Sequence, residues 1–254
     1  MAKKRIEEDQ ALFEAQDLVF EAFDAPFDQR AALAREALEI SPNCADAYLL
    51  LAEEATSPFE ALELLEQAVA AGERALGPLP FEQDAGYFWA IFETRPYMRA
   101  RAALAETLWG LGRRAEAVEH HRQLLRLNPN DNQGIRDLQV EWLLCLEQYD
   151  ELDQLFRAYE NDDAATIVYT KALAAFRREG DSANARRRLS EARAANPHVP
   201  AYLIGKKRLP RRLPDYVEVG EATEAADYAD AAAELWAEMP GAIEWLADNF
   251  AEPT

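Results

Sequence analysis

Gly112, Ala117 and Pro129 recur in the same order as Gly180, Ala185 and Pro197, each 68 residues later. Each triplet punctuates the chain in the same way. A helical stretch, Pro96 to Leu111, meets a glycine that can take positive φ and end it. A second helical stretch, Arg114 to Leu127, then runs into a proline that cannot continue it. Ala105 and Ala117, one on each stretch, are small enough to let the two helices approach closely. A chain that repeats such a unit buries the apolar face of one helix pair against the next, and so is driven toward a stack.

The 68-residue interval is twice 34, and the combination of Gly turn, small residues and proline stop resembles the tetratricopeptide (TPR) motif. The intervening unit, about 131 to 162, keeps the frame. It carries Leu138, Trp142 and Leu146 on its first helix and Leu152, Leu155 and Phe156 on its second, with Glu147-Gln148-Tyr149-Asp150 where its neighbours have glycine. The spacing predicts three repeats over 96–197. The expected fold is all-α: a TPR-type right-handed α-solenoid of stacked helix pairs with a C-terminal helical cap.

Upstream, residues 1–76 read as further helical, TPR-like repeats. Leu12, Phe13, Ala15, Leu18, Val19 and Phe23 fall at helical spacing, and Ser57-Pro58-Phe59-Glu60 has the Ser, Pro and Glu of a helix start. An insertion over 77–95, rich in aromatics, interrupts the frame. Residues 198–254 form a basic loop followed by a cap, with Tyr228, Trp236 and Trp245 at helical spacing.

The stretch Asn196-Pro197-His198-Val199-Pro200-Ala201-Tyr202-Leu203-Ile204-Gly205-Lys206-Lys207 resembles the NPHVPxYLLxxK stretch of the suppressor-of-tumorigenicity-seven family. The similarity continues through Leu209-Pro210, Gly220 to Ala225, Tyr228, Trp236 and Gly241-Ala242-Ile243, and spans roughly 95–250. The resemblance implies a TPR-like protein with no catalytic activity to carry over. Animal members have N-terminal membrane segments, and this chain is expected to lack them.

Composition narrows the partners. With 27 Lys and Arg against 47 Asp and Glu, the formal charge is −20, a field that repels nucleic acid and anionic membranes. No run of apolar residues is long enough to span a bilayer, and the acids after Lys3-Lys4-Arg5 exclude a signal-peptide core. Cys44 and Cys145 have no metal-ligand spacing and read as thiols of a reducing, cytoplasmic setting. His120, His121 and His198 form no metal cluster. No nucleophile–base motif or phosphate loop is present, so no catalytic residue, metal or cofactor is assigned. The expected role is a non-enzymatic adaptor, monomeric or weakly dimeric, holding a protein or peptide. Two alternatives stay open: an enzyme subunit, and a structural protein self-associating through its C-terminal aromatics.

The candidate groove follows from the first helix of each repeat. It comprises Arg95, Arg99, Ala102, Glu106 and Trp109, then Arg136, Gln139 and Val140, then Ile167, Thr170 and Lys171. Arg95, Arg99, Arg136 and Lys171 form either a basic seam for a carboxylate or acidic peptide, or a solvated face paired with nearby acids. Tyr87, Phe88 and Trp89 of the insertion form either a partner pocket or a core wedge. The five cations of the 206–212 loop read as docking on the protein's own acids rather than on nucleic acid.

Overall fold

Turn chemistry sets the elements. The computed structural model describes residues 2–214 and 216–250, with the backbone alone for 2–4, and all regular structure in them is helical. The helices are α1 (Ala2–Asp24), α2 (Phe27–Ile40), α3 (Ala45–Glu53), α4 (Pro58–Leu76), α5 (Pro78–Gln83), α6 (Arg95–Gly110) and α7 (Arg114–Leu127). They continue with α8 (Ile135–Cys145), α9 (Tyr149–Ala158), α10 (Ala165–Glu179), α11 (Ala183–Ala195), α12 (Val199–Leu203), α13 (Ala222–Glu238) and α14 (Ala242–Asp248). The fold is an α-solenoid of TPR-type helix pairs. Gly112 and Gly180 end their helices at φ +78° and +66°. Between them Glu147 does the same work at φ +56°, one residue beyond the 34-residue step from Gly112, which is why no glycine marks that turn in the sequence.

The chain divides into two compact units at Ile135 and Arg136, inside the 96–197 block that the repeat spacing marks out. In the first unit α1 packs on α2, α3 on α4, and α6 on both α4 and α7. Small residues make the α1–α2–α3 core: Ala15, Val19, Ala22, Ala34, Ala37 and Ala47 are all fully buried. At the α4–α6 crossing an added Cβ on Gly72 would lie 2.9 Å from Tyr97 Cβ, so only glycine fits. Ser57 caps α4 by accepting from the Glu60 amide at 3.2 Å, as the Ser-Pro-x-Glu pattern indicates.

The insertion folds as α5 and two 3-10 turns, Phe88–Ala90 and Phe92–Thr94. Phe88 is fully buried, and its ring lies 5.1 Å from Phe81 and 6.4 Å from Tyr97. Phe88 is therefore part of the core and is withdrawn as a partner contact. Tyr87 points the other way and is 73 % exposed.

In the second unit α10 pairs with α11, and α13 packs across α10 and α12. Here the aromatics of the cap turn inward. Trp236 donates its indole N–H to the Tyr228 hydroxyl at 2.8 Å. Trp245 stacks on Phe176 with ring centres 4.5 Å apart. Tyr228, Trp236 and Trp245 are thus buried within the unit.

Candidate functional site

The predicted first-helix groove has different fates in the two units. In the second it is filled by the chain itself. Ile167 and Thr170 are buried, as are Gln139 and Val140, so none of the four faces a groove. The ring of Tyr169 lies 5.7 Å from that of Tyr228 on α13, and the Ala165 amide donates to the Glu224 carboxylate at 2.8 Å. The reason is chemical: α13 brings an apolar, Ala-rich face that covers α10 better than water does.

In the first unit the corresponding face is open. Helices α1, α3, α4 and α6 with the second 3-10 turn enclose a mostly apolar cleft of about 510 Å³. Its walls include Leu12, Phe13 and Phe20 of α1 and Phe92 of the insertion. Phe13 is 68 % exposed, Phe20 54 % and Phe92 73 %. Helix α1 has two apolar faces. Ala15, Val19 and Ala22 pack against α2, whereas Ile6, Phe13 and Phe20, seven residues apart, run as a second stripe. Phe13 is thus not a core residue.

One carboxylate ties the cleft together. Asp46, in the first turn of α3, is 1 % exposed and sits where the helix N-terminus favours negative charge. It accepts from Arg99 Nε at 3.1 Å and Nη2 at 2.5 Å, and from Gln16 Nε2 at 2.9 Å. Through it α1 and α6 are tied to α3. Cys44, next to it, is buried, and desolvation pushes its thiol up to about 11.

The proposed residues therefore separate. Arg95 and Arg99 line the same cleft. Trp89 is half-buried and supports Arg95, whose guanidinium lies 5.3 Å from the indole. Glu106 is exposed. Trp109 is half-buried beneath Arg114 at 5.0 Å. Arg136 and Lys171 belong to the second unit. Arg136 pairs with Asp162 at 2.7 Å and lies 5.1 Å from the Tyr159 ring. Lys171 stands over Phe156 at 5.4 Å in a polar cleft between α9 and α11, and desolvation lowers its pKa. Of the four cations of the expected seam, Arg95 and Arg99 lie in the first unit and Arg136 and Lys171 in the second. Missed from sequence were Phe13, Phe20 and Gln16; the seven-residue stripe of α1 was the signal that pointed to the first two.

In the basic loop, Lys206 and Lys207 lie over Phe250 and Tyr202, at 4.7 and 4.5 Å. Among the described residues no group of three or more His, Cys, Asp or Glu is placed to hold a metal ion, and no helix is long and apolar enough to cross a membrane.

A family model described as ST7 protein matches residues 7–252. Proteins called Suppressor of tumorigenicity 7 protein from Macaca fascicularis and Rattus norvegicus are each 32 % identical over 234 residues, 82 % of this chain. The match covers 43 % and 40 % of their lengths, so the chain spans about two-fifths of these curated relatives. Among solved structures, that entitled "Crystal structure of YrrB: a TPR protein with an unusual peptide-binding site" is similar at a TM-score of 0.50 and 18 % identity, over 72 % of this chain and 84 % of that one. At that identity the likeness shows the fold alone.

Proposed function

The chain belongs to the ST7 protein family, and from that premise we propose that it is a non-enzymatic interaction module that holds an apolar segment of another protein in the cleft of its first unit. The observation that carries this reading is the contrast between the units. Where the first-helix face is apolar in the second unit, α13 covers it. Where it is apolar in the first, Phe13, Phe20 and Phe92 remain exposed around a cleft of about 510 Å³. Clustered aromatics at a concave surface are the usual anchors of protein–protein contacts. The −20 charge favours partners that are not nucleic acid, and the shielded Cys44 thiol suits a reducing, cytoplasmic setting.

The test is a displayed-peptide selection against the whole chain, followed by affinity measurement. Peptides selected by the cleft should be rich in apolar side chains. They should bind a Phe13→Ser, Phe20→Ser double variant at least about tenfold more weakly, with unchanged melting, since both side chains are largely exposed. Equal affinity for that variant would move the function elsewhere.

A further inference from the structure

Resting on that reading of the cleft, we propose that Arg95 makes it selective for an apolar segment that carries a carboxylate. The two arginines of the cleft are in opposite states. Arg99 spends its fork on Asp46, through both Nε and Nη2. Arg95 has no carboxylate within ion-pairing distance among the described residues, although the chain holds 47 acids. Glu93 lies on the same rim and makes no ion pair with it.

Arg95 is nevertheless held in place. Its Nε donates to the Trp89 carbonyl at 3.0 Å. Its guanidinium lies 4.2 Å from the centre of the Phe92 ring and 5.3 Å from that of Trp89. The turn that presents Trp89 and Phe92 is itself fixed, because the buried Thr94 hydroxyl sits between the Phe88 and Ile91 carbonyls. An arginine oriented by stacking loses little rotamer freedom on binding. Among the described residues its Nη atoms have no protein acceptor, and they lie beside a mostly apolar surface. A planar fork in that state matches a carboxylate, which accepts two parallel N–H bonds. A carboxylate also restores the charge balance that Arg95 lacks, in a place where the apolar walls weaken competition from water. The carboxylate can be the free end of a chain or an Asp or Glu side chain beside apolar residues.

The experiment uses fluorescence polarisation with the whole chain and labelled peptides that share one apolar core of Leu and Phe. One peptide ends in a free carboxylate. A second is amidated and neutral. A third is amidated and carries one internal Glu. The expected result is that an acidic form binds at least about tenfold more tightly than the neutral one. That preference should disappear in Arg95→Leu and be only partly retained in Arg95→Lys, which keeps charge but not the fork. A preference for the free end over the internal Glu identifies a chain terminus as the source, and the reverse identifies a side chain. Equal binding of all three peptides, with Phe13→Ser still weakening them, overturns the role of Arg95 and leaves the cleft standing. Binding that neither Phe13→Ser nor Arg95→Leu changes overturns both.

Discussion

Asn196 donates from its side-chain nitrogen to the Glu224 carboxylate at 2.8 Å, joining the end of α11 to the start of α13. The same carboxylate accepts from the Ala165 amide at 2.8 Å and the Gly220 amide at 2.8 Å. The Asn196 carbonyl accepts from the buried Tyr169 hydroxyl at 2.6 Å, and its side-chain oxygen accepts from the His198 amide at 3.0 Å. This network is the physical content of the Asn-Pro-His-Val-Pro stretch: it latches the cap helix over α10. Replacing Glu224 by Ala takes the shared acceptor from the buried Ala165 amide, the Asn196 side chain and the part-buried Gly220 amide, so a loss of about 2–3 kcal/mol is expected in denaturant unfolding. A change within about 0.5 kcal/mol would mean that the latch adds nothing.

Two glycines should fail for different reasons. Gly72→Ala forces a Cβ against the Cα and Cβ of Tyr97, at 3.1 and 2.9 Å. Overpacking there should cost about 1–3 kcal/mol. Gly112→Ala meets nothing within 4 Å but keeps φ at +78°, which should cost about 1–2 kcal/mol by backbone conformation alone. Asparagine, which tolerates that conformation, should recover part of the loss at 112 and worsen it at 72. Thermal melting of the four variants checks the sign of each.

Glu141 gives the second unit a pH dependence. Desolvation, with Asp137 beside it, pushes this carboxyl from an ordinary 4.5 up to about 7. The folded state then holds a proton that the unfolded chain releases, so stability is complete below about pH 4.5 and declines as pH rises through 7. Glu141→Gln should remove that decline. The melting-temperature gap between variant and wild type should widen in the variant's favour from pH 5 to pH 8, and a constant gap would refute the effect.

The Cys44 thiol, raised to about 11 and buried against Gln16, holds almost no thiolate near neutrality. Alkylation by a thiol reagent at pH 8 should therefore leave Cys44 unmodified in the native chain. It should proceed at an ordinary rate in denaturant, as peptide mass spectrometry would read out.

Asp46 should prove structural for the cleft. Asp46→Ala removes the acceptor shared by Arg99 and Gln16, and about 2 kcal/mol of stability should go with it. The same change frees the Arg99 fork. Acidic peptides should then bind no more weakly than to wild type, a comparison made by polarisation at a temperature where both chains are folded.

Helix pairing was legible in the residues alone because its signals are local. A glycine at positive φ, a proline stop and a serine cap act within a few positions of themselves, and Gly112, Pro129 and Ser57 do so here. The Glu147 turn was hidden for the same reason, since nothing in a glutamate announces left-handed backbone. What tertiary structure alone decided is which apolar face stays open. Periodicity shows that α1 is apolar at Phe13 as well as at Val19, but only the placement of α2 buries the one and leaves the other to solvent. Arg99 and Arg95 look alike in sequence. They differ because folding carries Asp46 to one of them across 53 residues and, among the described residues, pairs no acid with the other. Long-range pairing of this kind depends on the relative positions of whole helices, which no short stretch of sequence encodes.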